Sequence, residues 1–185
     1  MRISGGEYRG RVLATPGGKN TRPTAGRTRE SIFNILDHND WCTLSGARVI
    51  DLFAGSGALG FDALSRGAEF CLFVETNAAA RGIIRDNIDT LCLFGQTRIH
   101  RRDATDLGKK PAPLGGAFDL VFLDPPYHLG LGEKALAELI NGDWLAKDTL
   151  AVFECAADED PQTPGWEVLD NRTYGAARVL FLRKN

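Results

Sequence analysis

The residues with the clearest chemical potential are Asp124-Pro125-Pro126-Tyr127, which follow an apolar run at residues 120–123. The run has the composition of a buried strand, and the prolines stop it because proline lacks the backbone N–H donor. A carboxylate, rigid carbonyl groups and an aromatic ring then lie together at the carboxyl end of a strand, where open α/β sheets bind ligands. This combination suits the holding of a planar amino group and stacking on the ring that carries it.

A glycine-rich segment supplies a second motif. Residues 55–60 match G-x-G-x-x-G between a predicted strand and a predicted helix, and Glu75 ends the next predicted strand 20 residues after Gly55. Glycine lets the backbone approach a ligand closely, and the Glu75 carboxylate can accept hydrogen bonds from ribose hydroxyls. Nicotinamide dinucleotides and S-adenosylmethionine both use this layout. Asp51 favours the second, because its charge repels a pyrophosphate and attracts an ammonium or sulfonium group.

We therefore predict S-adenosylmethionine as the cofactor. Asp103 follows the third predicted strand, where it fits either a hydrogen bond to the adenine amino group or an ordinary turn. The predicted cofactor-binding residues are Asp51, Phe53, Gly55, Gly57, Glu75 and Asp103.

The Asp-Pro-Pro-Tyr segment can activate an exocyclic amine, whose lone pair is otherwise delocalised into the base. Asp124 can accept one N–H and the carbonyl of Pro125 the other, so that the lone pair points at the sulfonium methyl group. Tyr127 can stack on the base and fix its plane. We predict these three residues to be catalytic through orientation of the reactants, without a metal ion or a covalent enzyme intermediate.

Composition and charge narrow the class of protein. The chain of 185 residues is 43% hydrophobic and 25% charged, which fits one soluble globular domain. It has neither an apolar run of about 18 residues nor a signal-like start, so we expect no membrane span. The four cysteines lack C-x-x-C spacing and the three histidines are scattered, which predicts reduced thiols and no metal site. We expect a cytoplasmic monomer.

The charge is distributed unevenly along the chain. Residues 1–30 contain seven basic and two acidic residues, a net charge of +5, whereas the remainder has a net charge of −7. A basic segment on an acidic body indicates a localised polyanion site. A solvated arm without a partner would explain the charge equally well.

Secondary-structure signals alternate along the chain. After a helix at about residues 25–37, strands are predicted at 48–52, 70–74, 97–100, 118–124 and 150–154, and helices at 58–65, 78–91 and 133–140. Continuous apolar strands alternating with helices predict a mostly parallel α/β sheet. Residues 166–169 and 178–182 add an antiparallel edge pair about Tyr174-Gly175. The predicted division is a basic arm and helix at 1–46 and the α/β domain at 47–185.

The motifs together resemble the RsmD-type bacterial small-subunit rRNA guanine-N2 methyltransferases. The resemblance covers nearly the whole chain, and its front-end pattern is the specific part. It rests on residues 51–60, 65–68, 124–127 and 174–175, and on the front-end residues Arg2-Ile3-Ser4-Gly5-Gly6, Arg9-Gly10-Arg11, Arg22-Pro23-Thr24, Arg27, Arg29-Glu30 and Phe33-Asn34. Asp62 departs from the glutamate expected at its position.

The resemblance implies a class I S-adenosylmethionine-dependent methyltransferase fold, which is Rossmann-like, with a short basic N-terminal extension. It also implies that the methyl acceptor is N2 of one guanine in 16S rRNA, either free or in the small ribosomal subunit. The basic front end would then face the RNA, with Arg22, Arg27 and Arg29 as candidate phosphate contacts. A guanine in a helix would have to be extruded before its amine reached Asp124.

Other functions fit parts of the pattern. A DNA adenine or cytosine amino methyltransferase would also use Asp-Pro-Pro-Tyr, although 185 residues leave little room for a target-recognition domain. A protein glutamine methyltransferase would favour asparagine in place of Asp124, and an NAD-dependent oxidoreductase would need a hydride-transfer acid or base. A non-catalytic RNA-binding module would explain the basic arm, but it would leave Asp124 and Tyr127 without a role.

Overall fold

The computed structural model of the protein describes residues 1–16 and 23–185. Its helices are α1 Pro23–Asp37, α2 Ala58–Ser65, α3 Ala78–Leu91 and α4 Leu131–Asn141, with a short 3₁₀ helix at Ala112–Leu114. Its strands are β1 Arg48–Leu52, β2 Phe70–Val74, β3 Thr97–His100, β4 Phe118–Leu123, β5 Leu145–Ala156, β6 Trp166–Tyr174 and β7 Ala177–Lys184.

The strands form one seven-stranded sheet in the order β3-β2-β1-β4-β5-β7-β6. Strands β1 to β5 run parallel to one another, whereas β7 is antiparallel to both β5 and β6. The strand order reverses between β1 and β4, which is where open α/β sheets bind ligands. The predicted mixed α/β fold, with an antiparallel carboxyl-terminal pair, is confirmed.

Two hydrophobic layers cover the sheet. Residues of α1, α2 and α3, such as Phe33, Phe61 and Ile84, pack with alternate residues of the central strands on one face. Residues of α4 and Trp144 pack on the other face. The continuous apolar strands predicted from the sequence follow from this arrangement, since successive side chains enter opposite layers that both exclude water.

The amino-terminal segment belongs to the first of these layers. Residues 2 and 12 form an antiparallel bridge, and Ile3 and Leu13 are each 2% exposed within the same core as Phe33. The boundary predicted at residue 46 therefore does not separate two hydrophobic cores. The RNA-facing role of residues 1–46 stays a prediction.

Strand β5 is longer than its apolar pattern indicates. It begins at Leu145, but its pairing with β4 shifts in register between the partners of Phe118 and Leu120. Asp148 has a φ angle of 59° at this irregularity, and residues 146–148 are not buried. A period-two pattern does not identify a strand that is bulged and partly exposed.

No helix in the described part of the chain is long and apolar enough to span a bilayer.

Candidate active site

Acidic side chains collect at the carboxyl ends of the strands around the reversal in strand order. Asp51 lies near the end of β1, Asp124 directly follows β4, and Glu154 lies near the end of β5. Since these strands are neighbours in the order β1-β4-β5, Asp124 lies between the other two carboxyl groups. All three line one cavity of about 510 Å³.

A second cavity, of about 480 Å³, lies on the β2 and β3 side of the site. Glu75 and Asp103, both predicted to bind the cofactor, line this cavity. Phe53 and Asp124 line both cavities. The residue predicted to orient the acceptor therefore lies where the two spaces meet.

The two glycines at the start of the glycine-rich turn differ in how closely other atoms surround them. Gly55 has a φ angle of 56°, and a Cβ added there would meet only the carbonyl oxygen of Phe53, at 4.0 Å. The same addition at Gly57, whose φ angle is 78°, would lie 2.7 Å from the ring of Phe61. Gly55 therefore leaves space along the first cavity, whereas Gly57 serves the tight turn and its packing.

Hydrogen bonds from the turn hold two of the predicted carboxylates. Oε2 of Glu75 accepts a 2.8 Å bond from the backbone of Gly55, and Oε1 accepts one of 2.7 Å from Asn77. Oδ2 of Asp51 accepts a 3.0 Å bond from the backbone of Gly60. Burial raises the pKa of Asp51 well above its usual value, and the nearby Asp124 and Glu75 raise it further.

Asp103 lies at the rim of the second cavity. Its Oδ1 accepts hydrogen bonds from the backbone and the hydroxyl of Thr105, at 2.8 and 2.7 Å, and these bonds lower the pKa of the carboxyl. Asp103 is thus a turn aspartate that also lines the cavity. Arg102, which the sequence did not single out, lies beside it on the same wall.

The environment of Asp124 changes its protonation. Solvent reaches the side chain through the cleft, but the surrounding protein displaces most of the water around its carboxyl group. This desolvation, followed by the charge of Glu154, raises the pKa of Asp124 to about 7. Among the described residues none donates a hydrogen bond to this carboxyl group. It can therefore accept hydrogen bonds from a ligand when it is ionised.

Tyr127 is tethered to Glu154. Its hydroxyl donates a 2.6 Å hydrogen bond to Oε1 of Glu154, which ties the ring to a residue that lines the first cavity. Burial, together with this bond to the carboxylate, raises the pKa of Tyr127 far above its ordinary value, so the hydroxyl stays protonated. Burial also raises the pKa of Glu154, although the bond from Tyr127 opposes this.

Glu159 holds the turn that contains Tyr127. Its Oε1 accepts a 2.8 Å bond from the backbone of His128, and its Oε2 accepts one of 2.7 Å from the backbone of Ala156. The loop after β5 is thereby linked to the segment after β4. Pro125, whose carbonyl is predicted to face the amine, is buried in the same turn.

The predicted phosphate-binding arginines differ in their surroundings. Arg22 lies outside the described residues. Arg27 is exposed on α1, whereas Arg29 is 8% exposed and forms a 2.6 Å ion pair with the fully buried Asp62. Arg29 also donates a 2.7 Å bond to the carbonyl of Arg2. Its guanidinium is thus engaged by protein groups, although Arg29 and Arg2 both line the first cavity.

Sequence reasoning missed Glu154 and Glu159. A signal for Glu154 was present, because it ends the apolar run of a strand in the same way as Glu75 and Asp124 do. Glu159 follows the strand within a polar loop and carries no such signal. Within the described ranges, no group of three or more His, Cys, Asp or Glu side chains could hold a metal ion.

Curated relatives resemble the protein over nearly its whole length. The ribosomal RNA small subunit methyltransferase D of Haemophilus influenzae is 36% identical over 95% of this chain and 89% of its own. The enzyme of that name from Escherichia coli K12 is 35% identical over 100% and 90%. The putative rRNA methyltransferase YlbH of Bacillus subtilis is 38% identical over 100% and 99%.

Solved structures share the fold. A putative methyltransferase from Escherichia coli superposes with a TM-score of 0.86 at 33% identity, covering 100% of this chain and 98% of its own. A putative methyltransferase complexed with SAH shares the fold alone, with a TM-score of 0.66 at 14% identity, covering 85% and 48%. The fold is that of the class I methyltransferases, as the resemblance implied.

A family model described as Conserved hypothetical protein 95 matches residues 1–183. This match agrees with the full-length similarity to the ribosomal RNA small subunit methyltransferases D, and it confirms the resemblance recognised from the motifs. The chain belongs to the Conserved hypothetical protein 95 family, which is the RsmD family of methyltransferases.

Proposed function

We propose that this protein transfers a methyl group from S-adenosylmethionine to the exocyclic N2 amine of a guanine in 16S rRNA. The observation that carries the proposal is the position of Asp124, which lines both cavities of the site. The second cavity would take the adenosine end of the donor, and the first would take its ammonium end together with the base. A group that borders both cavities therefore lies close to the methyl group that is transferred. The names of relatives at 35–36% identity support the choice of small-subunit rRNA as the substrate.

The residues of the two cavities fit S-adenosylmethionine. Glu75 and Asp103 on the β2 and β3 side provide acceptors for ribose hydroxyls and for the adenine amino group. Asp51 provides a carboxyl group whose ionised form the positive charge of the ammonium end would favour. Gly55 leaves the space that a side chain would fill. Phe53, which lines both cavities and has a φ angle of 58°, offers an apolar surface between them. The complex of a distant structural neighbour with SAH is consistent with this assignment.

Asp124, Pro125 and Tyr127 orient the acceptor. When bound, S-adenosylmethionine supplies an electrophilic methyl carbon on its sulfonium. The Asp124 carboxylate accepts one N–H of the amine and the Pro125 carbonyl accepts the other, so the nitrogen lone pair points away from both. Tyr127 stacks on the base, since its ring is held by the bond to Glu154. Orientation of this kind supplies most of the rate acceleration, with effective molarities of about 10⁵ M or more.

Asp124 is also suited to take the proton that the amine loses on methylation. A general base works best when its pKa lies near the working pH, and the pKa of Asp124 is raised to about 7. The methylated nitrogen would give up its proton to the carboxylate that already accepts its hydrogen bond. No other protein group has to move for this step.

The basic arm and α1 are proposed to face the RNA. Arg2 is exposed and lines the first cavity, and Arg27 is exposed on α1, a helix whose Arg29 and Glu30 also line that cavity. Contacts between arginines and phosphates would hold the RNA while the guanine is extruded toward Asp124. We place this activity in the bacterial cytoplasm, with the protein acting as a monomer.

One experiment separates this function from its alternatives. The protein is incubated with labelled S-adenosylmethionine and, in turn, with naked rRNA, small ribosomal subunits, DNA and cell protein, and labelled nucleosides are identified by mass spectrometry. We expect label in N2-methylguanosine from rRNA or from the subunit. Label in DNA would identify a DNA methyltransferase, and RNA binding without transfer to any substrate would indicate a non-catalytic module.

A further inference from the structure

We propose that Glu154 selects guanine over the other amino-bearing bases by accepting the N1–H that lies beside the N2 amine. The inference rests on the proposed guanine-N2 methylation and adds a specificity-determining residue to it. Asp-Pro-Pro-Tyr alone does not make this choice, because adenine and cytosine also carry an exocyclic amine that the segment could hold.

The sheet places Glu154 on the side of Asp124 that is remote from Asp51. Leu123 of β4 pairs with Phe153 of β5, so the next residues, Asp124 and Glu154, lie at the same level on neighbouring strands about 4.8 Å apart. Asp51 lies on the opposite neighbour, β1, one layer deeper, because it pairs with Phe122. The three carboxyl groups therefore form a row along one cavity.

This row sets the direction of a bound base. An amine held at Asp124 must present its lone pair toward the donor, whose ammonium end is assigned to Asp51. The lone pair projects from the face of the ring, so the ring lies to one side of the donor. Because the donor is assigned to the Asp51 side of Asp124, the space that remains for the ring is on the Glu154 side. The ring atom next to the amine on the Watson–Crick edge is the atom that the carboxyl group of Glu154 meets.

The three bases differ at this atom. In guanine it is N1, which carries a hydrogen and donates, whereas in adenine it is N1 and in cytosine N3, each with a lone pair that only accepts. A carboxylate attracts the N–H of guanine and repels the lone pairs of adenine and cytosine. A site built to accept a substrate N–H rejects an analogue that lacks it by a large factor, because its buried acceptor is left unpaired.

The hydrogen bond from Tyr127 determines which oxygen of Glu154 faces the base. The Tyr127 hydroxyl donates to Oε1 of Glu154 at 2.6 Å, which anchors the carboxylate and leaves Oε2 for the base. Within the described part of the chain, Oε2 accepts no hydrogen bond. The same side chain that stacks on the base thus orients the acceptor that reads the edge of the base.

The Tyr127 anchor also predicts the effect of Glu154→Gln. The carbonyl oxygen of the new amide would accept the bond from the Tyr127 hydroxyl, so its NH₂ group would face the base. An amide donor opposes the N1–H of guanine and matches a lone pair. The variant should therefore prefer a base with an amine next to an unprotonated ring nitrogen.

2-Aminopurine provides this test, because it keeps the amine at C2 and has a lone pair at N1. The methylated guanine is first located by mass spectrometry, and 16S rRNA is then ligated with guanine or 2-aminopurine at that position. We expect the wild-type protein to prefer guanine by at least about 100-fold in kcat/KM. We expect Glu154→Gln to shift the ratio toward 2-aminopurine by about 100-fold or more, while Glu167→Gln on β6 leaves it unchanged. 2-Aminopurine also lacks the O6 of guanine, but this loss affects the wild-type protein and both variants alike. A difference between the proteins in the ratio of kcat/KM values therefore reports on the contact to N1.

The outcomes separate this inference from the function on which it rests. Absence of guanine methylation by the wild-type protein would overturn the proposed function, and with it this inference. Guanine methylation with an unaltered ratio in a folded Glu154→Gln protein would overturn the inference alone. Equal losses on both bases would also overturn it, since they would assign Glu154 only to the positioning of Tyr127.

Discussion

Nε of Arg29 lies 2.6 Å from Oδ2 of Asp62, whose side chain is fully buried. Oδ1 of the same carboxylate accepts 2.8 Å bonds from the backbone and hydroxyl of Ser4 and from the guanidinium of Arg66. One buried charge thus joins the amino-terminal segment, α1 and α2. Since α2 starts at the glycine-rich turn, this cluster connects the proposed RNA-facing segment to the proposed cofactor site.

Arg29→Gln should destabilise the protein strongly. The substitution leaves the Asp62 carboxylate buried with fewer opposite charges, and breaking a buried pair in this way costs about 3 kcal/mol of unfolding free energy. Urea denaturation measures this loss. Arg27→Gln is the matched control, because it removes an exposed arginine from the same helix and should change stability by less than about 0.5 kcal/mol. Similar losses in the two variants would contradict the structural role of Arg29.

Arg27→Gln should instead weaken binding to RNA. If Arg27 contacts one phosphate, its loss lowers the slope of log K against log salt by about 1 and raises the KM for rRNA, without changing affinity for S-adenosylmethionine. Filter binding over a range of salt concentrations provides the measurement. Arg172→Gln, on the edge strand β6, is the control for general charge. If the slope of the variant equalled that of the wild type, Arg27 would not contact a phosphate of the RNA.

The fold could be predicted well because its signals are local. The strands around the site are short apolar runs, and each ends where an acidic or proline residue interrupts it, as at Asp124. The position of Arg29 could not be predicted in this way. Its charge indicated a solvent-facing contact, but its burial depends on Asp62, which lies on another helix. A partner that is distant in sequence leaves no pattern in the sequence around Arg29.

The site could be predicted in part for the same reason. Asp51, Glu75 and Asp124 follow motifs whose spacing is fixed by a strand and a turn. Glu154 lacks a neighbouring motif, and its importance comes from parallel pairing of β5 with β4, which places it beside Asp124. The structure also shows that the two glycines have different roles, because Gly55 borders a cavity while Gly57 packs on Phe61.

Activity should depend on pH through Asp124. Burial and then the charge of Glu154 raise the pKa of Asp124 to about 7, and only the ionised form accepts an N–H from the amine. We expect kcat/KM to fall as the pH is lowered through about 7, by about tenfold per unit below the midpoint. Glu154→Gln removes the neighbouring charge, so its midpoint should lie at a lower pH. A midpoint that did not move would show that the two groups are not coupled.

The same pKa predicts the sign of a stability effect. Because the pKa of Asp124 is higher in the folded state than the value of about 4 in the unfolded state, its ionisation lowers stability as the pH rises through 7. Asp124→Asn should therefore stabilise the protein at pH 8, by about 1 kcal/mol after allowance for solvent screening. The gain should disappear near pH 4. Thermal unfolding at both pH values tests this, and a gain of equal size at pH 4 would exclude ionisation as its cause.

Asp124 is proposed to hold the acceptor amine at the junction of the two cavities and to leave cofactor binding to other residues. Asp124→Ala tests this proposal most directly, with calorimetry for the affinity of S-adenosylmethionine and single-turnover kinetics for methyl transfer to rRNA. We expect a Kd within about threefold of the wild-type value and a transfer rate at least about 10³-fold lower, because the orientation of a reactant is lost. A large loss of cofactor affinity, or a transfer rate close to that of the wild type, would contradict it.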